Sequence, residues 1–181
     1  MKTAFIIFAA AWVCFLSLAY AKEETSAAPA ELKATASLQD AQGRKLGEVT
    51  VKETPQGVLL NVKLKNVPAG VHAFHVHQKG ICTPPDFASA GGHFNPGNRK
   101  HGLMAMEGSH GGDMPNIHVA SKDEMNVEIL ARGLTLKKGS VNSLFDEDGS
   151  ALVLHETADD YLSDPAGNAG TRLACGVVQL P

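Results

Sequence analysis

The sequence predicts an all-β domain on three observations. Apolar residues alternate with period two over its first half, Gly- and Pro-containing turns separate those runs, and no stretch carries the period of a long amphipathic helix. The alternation begins at Leu32, Ala34, Ala36 and Leu38, resumes at Leu46 with the offset pair Val49 and Val51, and runs on through Val58, Leu60, Val62 and Leu64. Successive strand residues point to opposite sides, so each run builds one apolar face. Asp40-Ala41-Gln42-Gly43 and Pro55-Gln56-Gly57 lie between the runs and supply the dihedrals of tight turns, which predicts hairpins. Further strands are predicted at Val71 to His77, Ile117 to Ala120, Met125 to Ala131, Ala151 to His155 and Gly176 to Leu180, about eight short strands in all. Two stretches, Lys79 to Asn116 and Glu156 to Thr171, are too long and too rich in Gly and Pro to be turns, and are predicted to be functional loops.

With 181 residues, 44% of them hydrophobic, and a formal charge of −3, the chain has the size and balance of one globular core. Nucleic acid is not an expected partner, because no basic polyelectrolyte surface is present in that composition. Lys2 precedes an uncharged apolar run from Ala4 to Tyr20 that closes on Ala19-Tyr20-Ala21, the pattern of a cleaved signal peptide over residues 1–21. Cys14 offers a lipoprotein anchor as the alternative, which the bulky Val13 before it and the apolar residues after it disfavour, and no stable membrane insertion is expected after cleavage. Residues 22–31 are polar, Ala-rich and aperiodic, as in a disordered tether, leaving 32–181 as the folded domain. Loss of the leader removes Cys14 and leaves Cys82 and Cys175, a pair bound for an oxidising compartment, periplasmic or extracellular. A disulfide is the natural inference, with two separate buried thiols as the plainer alternative.

His75 and His77 fall one residue apart in Phe74-His75-Val76-His77, so a strand turns both imidazoles to one face. A His-x-His pair alone says little. His93, His101, His110 and Asp113 follow within one Gly-rich loop, and four such residues in 21 positions suit a closed tetrahedral site of the kind zinc prefers. Imidazole also suits copper. His155 closes the apolar strand Ala151-Leu152-Val153-Leu154, where a buried structural histidine is an equally good reading.

Taken together, Phe74-His75-Val76-His77, Gly92-His93-Phe94-Asn95-Pro96, Lys100-His101-Gly102, His110-Gly111-Gly112-Asp113 and Gly167-Asn168-Ala169-Gly170-Thr171-Arg172-Leu173-Ala174-Cys175-Gly176 resemble the copper,zinc superoxide dismutases, bacterial secreted type, in order and in spacing. The resemblance implies a Greek-key β-sandwich or flattened barrel, and the reaction that converts superoxide to dioxygen and hydrogen peroxide, protecting the cell envelope. It implies one copper and one zinc per subunit. His75, His77, His93 and His155 would hold copper, and His93, His101, His110 and Asp113 would hold zinc, with His93 as bridge. Arg172 and His93 would act on superoxide, Asp159 would hydrogen-bond ligands of both metals, with the adjacent Asp160 as the alternative, and Cys82 would pair with Cys175. His72 and His118 fall outside the ligand set. Lys79, Arg99 and Lys100 are further candidates for steering the anion. The chain departs from the family at Leu103-Met104, where Gly-Pro is frequent, at Ala73, where Gly is frequent, and in a short stretch from His155 to Arg172. A metal-delivery module, a copper-only relative and a noncatalytic adhesion domain are the rival readings, and the full ligand set with Arg172 disfavours each. Oligomeric state stays open, a homodimer being among the arrangements such faces allow.

Overall fold

A computed structural model describes residues 31–120 and 124–181 of the chain. The leader over 1–21 and nearly all of the tether fall outside the described residues. Glu31–Pro181 forms one compact unit, and its first residue, Glu31, ion-pairs with Lys33 and Lys52.

Among the described residues nine strands form: β1 Lys33–Gln39, β2 Lys45–Thr54, β3 Gly57–Leu64, β4 Gly70–His72, β5 Phe74–His77, β6 Ile117–Val119, β7 Met125–Ala131, β8 Ala151–His155 and β9 Arg172–Val177. Seven make one antiparallel sheet in the order β5-β8-β9-β1-β2-β3-β7, and β4 pairs with β6. β7 lies beside β3 after a long excursion, and β9 returns to lie beside β1, which are the long returns of a Greek key. Ala34, Ala36 and Leu38 of β1, Val49 and Val51 of β2, Val58, Leu60, Val62 and Leu64 of β3, and Leu152 and Leu154 of β8 all enter a single core. The predicted offset in β2 is a bulge. Leu38 pairs with Gly47 and Gln39 with Lys45, so Leu46 is the extra residue and both it and Gly47 are buried.

β8 is buried at every position because it faces two apolar clusters. Leu152 and Leu154 enter the main core, whereas Ala151 and Val153 pack with Phe87, Ala90 and Cys175 beneath the first long loop. The same alternation on β5 sends Phe74 and Val76 inward and leaves His75 and His77 on the loop side. The disulfide between Cys82 and Cys175 ties that loop to β9.

Two strands differ from the sequence expectation. The predicted run from Val71 to His77 divides at Ala73, because the Ala73 N–H donates to Thr157 and its carbonyl accepts from His155, so the second loop takes over the backbone there. The final strand, expected at Gly176 to Leu180, runs instead from Arg172 to Val177. Gly176 is an interior residue rather than a start: a Cβ there would sit 2.7 Å from the Ser37 carbonyl oxygen, so the close approach of β1 requires glycine.

Candidate metal centre

The first donor group is built on strands. His75 and His77 stand on β5 opposite Val153 and Ala151, and His155 ends the neighbouring β8. The His77 Nδ1–H donates to the Gly91 carbonyl at 2.9 Å, which turns Nε2 toward His155 Nε2, 3.4 Å away. His75 donates through Nε2 to Asp159 Oδ2 at 2.8 Å and keeps Nδ1 free. His93 reaches this group because its loop hydrogen-bonds along β5. Phe94 N–H donates to Val76, Gln78 N–H to Gly92, and Val76 N–H to Gly112. The rings of His75 and His93 are 4.0 Å apart between centroids.

The second group is built on the loop. Asp113 Oδ1 lies 2.9 Å from His93 Nδ1 and 3.2 Å from Nδ1 of both His101 and His110. Four donors at about 2.0 Å from a tetrahedral ion stand about 3.3 Å apart, so these separations are those of a zinc-sized site. The other carboxylate oxygen, Oδ2, accepts the backbone N–H groups of Gly102 and His110 at 2.9 and 3.0 Å. Burial alone would raise the Asp113 pKa, but the hydrogen bonds from the His93 ring and the Gly102 amide hold it well below the usual carboxylate range.

These distances bring together all seven candidate ligands: two four-donor groups, His75, His77, His93 and His155, and His93, His101, His110 and Asp113, each with donor atoms within 4.8 Å of one another. Every member is buried. Nδ1 of His75, His101 and His110 and Nε2 of His93 are buried without a hydrogen-bond partner. Orphaned ring nitrogens at such depth are costly. Their convergence on two points is what a pair of bound cations would satisfy, and imidazole with one carboxylate is a donor set suited to copper and zinc. Burial lowers the pKa of His75 to about 4 and that of His155 to about 3, and His77 also lies well below its ordinary value, so these rings stand neutral with lone pairs available near neutral pH.

Asp159 joins the groups. Besides the bond to His75, its Oδ1 accepts from His101 Nε2 at 3.0 Å, while the neighbouring Asp160 is spent on turn contacts to Leu162, Ser163 and Asn168. Arg172 donates through Nη2 to the Gly91 carbonyl at 2.6 Å and through Nη1 to the Phe87 carbonyl. Gly91 thus anchors both Arg172 and His77. His72 is buried against the carbonyls of His155 and Pro68, and His118 is exposed. Of the extra steering candidates, Lys100 is engaged by Asp164 at 3.2 Å. Sequence reasoning did not find Asn116, Tyr161 or Gly167. Asn116 grips the backbone of Asp159. Gly167, with φ +65°, passes so close that a Cβ would lie 1.9 Å from Asp159 Oδ1. The Gly167-Asn168-Ala169-Gly170 string signalled the last of these without giving its target.

Comparison with known proteins agrees with this geometry. The model of the copper/zinc superoxide dismutase family matches residues 45–178. A protein named Superoxide dismutase [Cu-Zn] 1, from Aquifex aeolicus, is 53% identical over 150 residues, covering 82% of this chain and 89% of that one. The crystal structure of a SOD-like protein from Bacillus subtilis superposes with a TM-score of 0.76 at 39% identity, over 79% of this chain and 96% of that one. Cu/Zn superoxide dismutase from Brucella abortus superposes with a TM-score of 0.67 at 28% identity, over 81% and 99%. With a family match that takes in both histidine groups and the strands beneath them, the chain belongs to the copper/zinc superoxide dismutases.

Proposed function

We propose that this protein dismutes superoxide to dioxygen and hydrogen peroxide, with copper held by His75, His77, His93 and His155 and zinc by His93, His101, His110 and Asp113. The observation that carries the reading is the position of His93, whose Nδ1 faces Asp113 while its Nε2 is buried, unpartnered, beside the strand-borne rings. When bound, copper supplies a reversible one-electron couple that zinc lacks, while zinc adds fixed charge at the shared ring. The chain's residues do the rest. Asp159 fixes the tautomers of His75 and His101 by accepting both Nε2–H groups, which leaves Nδ1 of each ring for a metal. His93 Nε2 is the atom placed to hold a proton and deliver it to the peroxide that forms from the second superoxide. Arg172, its guanidinium aimed by two carbonyls, supplies a fixed cation that draws in and orients the small anion. The balance is two superoxide and two protons giving one dioxygen and one hydrogen peroxide.

A route out of the cytoplasm through a leader at 1–21 and action in the periplasm or outside the cell complete the proposal. The Cys82–Cys175 disulfide supports it, since such bonds persist in oxidising compartments. Among the described residues no helix is long and apolar enough to cross a membrane. The test is a dismutation assay on metal-loaded protein alongside His155→Ala. The proposal expects activity in the parent and none in the variant, which stays folded and keeps its zinc. Full activity in the variant would contradict the assignment of His155.

A further inference from the structure

Asp159 touches a donor ring in each group, yet it lies in the loop between β8 and β9, where no ladder sets its position. Asn116 performs that service. Its side-chain Oδ1 accepts the Asp159 backbone N–H at 2.9 Å, and its Nδ2 donates to the Asp159 carbonyl at 2.9 Å. The amide thus exchanges two hydrogen bonds with one residue's backbone, as a paired residue in an antiparallel strand would. Asn116 is held in turn. Its own backbone N–H donates to the Tyr161 hydroxyl at 2.7 Å, and the Tyr161 backbone N–H donates to Asp159 Oδ1 at 2.6 Å. Tyr161 has φ +64°, a left-handed conformation uncommon outside glycine. Its carbonyl accepts from Met104 N–H at 3.1 Å, on the loop that carries His101 and His110. The three residues close a ring of contacts around the carboxylate.

We infer that Asn116, anchored by Tyr161, is a positioning residue for Asp159, and through it sets the ring orientation of His75 and His101 without contacting either. The inference rests on the two-metal reading above. A purely mechanical role for Asn116, stapling one loop to another, makes a different prediction: it would lower stability and leave the rings as they are.

The experiment compares Asn116→Ala, Asn116→Asp and Tyr161→Phe in the otherwise unaltered protein, metal-free and loaded with zinc alone. Nitrogen-edited spectra follow the Nε2–H protons of His75 and His101, and zinc titration gives affinity. Asn116→Ala should speed exchange of both ring protons with water at least tenfold and weaken zinc binding by about tenfold, the lower end of what outer-shell partners of metal ligands contribute. Asn116→Asp sets a carboxylate oxygen against the Asp159 carbonyl and should do as much. Tyr161→Phe keeps the amide pair and should shift both readouts in the same direction by less, which preserves the test if the Asn116 variants fail to fold. Ring exchange and zinc affinity at parental values in folded variants, with only the melting temperature reduced, would overturn the inference. Failure of the parent to bind zinc would count against the two-metal reading instead, and ring exchange in metal-free protein would still judge Asn116.

Discussion

The two donor groups are built by different means. His75, His77 and His155 stand on adjacent strands whose ladder fixes their backbones, with the apolar residues of β5 and β8 packed on both sides. His93, His101, His110 and Asp113 stand on a long loop, held by its hydrogen bonds to β5, by Asp113's grip on two backbone amides, and by one disulfide at its start. A sheet can present donors before any ion arrives, whereas a loop must be closed at an entropic cost that a bound ion helps to offset. The difference teaches where this chain depends on metal: less on the strands, more on the loop.

Acid should expose the contrast most strongly. In metal-free protein the folded His75 and His155 rings titrate at about 4 and about 3, below the ordinary 6.5, because they are buried. The unfolded chain therefore takes up protons that the folded chain refuses. Stability is fully present above pH 6.5 and is lost progressively as pH falls from 6.5 to between 4 and 3, where the folded rings also protonate and the loss levels off, by several kcal/mol in order of magnitude. Denaturant titrations of metal-free protein from pH 7 to pH 4 measure this. A flat profile would mean that the strand-borne rings are not held neutral.

The disulfide comes next. Cys82→Ser should lower the free energy of unfolding by about 4 to 5 kcal/mol on the chain-entropy model for a loop of this length. Zinc affinity should fall with it more than dismutation per bound copper does, because the bond serves the loop. Equal losses in both would erase the distinction. Gly167→Ala should cost about 1 to 3 kcal/mol, as overpacking does, since its Cβ would press on Asp159 Oδ1 and on His101 Nε2, 1.9 and 2.6 Å away. Thermal melts and zinc titration read that effect together. The smallest expected change is in rate: Arg172→Glu should slow dismutation by about tenfold at low salt and weaken the inhibition of turnover by added salt, as loss of steering requires. An unaltered salt dependence would remove Arg172 from that role.

Much of the strand-borne half is legible in the sequence, because alternation is a local signal. Phe74-His75-Val76-His77 states which side each residue faces, and the β2 offset at Leu46 already marks the bulge. The four loop donors are legible only as a cluster of residue types. Their convergence depends on Gly112, where a Cβ would lie 2.3 Å from the Val76 carbonyl oxygen, and sequence gives a glycine's presence without its neighbour. The Asn116 clamp is illegible for the same reason: its partners Asp159 and Tyr161 are 43 and 45 residues away. The Leu103-Met104 departure is accommodated in a turn that keeps His101 and His110 in place, with Met104 tied to Tyr161 and the side chain of Met106 outside.

The sharing of His93 by two ions is open to direct test by magnetic resonance on protein carrying copper(II) at the strand-borne group and cobalt(II) at the loop-borne group. A common imidazole should couple the two spins, so the copper resonance seen with zinc as partner should collapse when cobalt replaces it, and reappear in His93→Ala to whatever extent copper is still retained. An unchanged copper resonance in the fully loaded copper–cobalt protein would show that no ring joins the two sites.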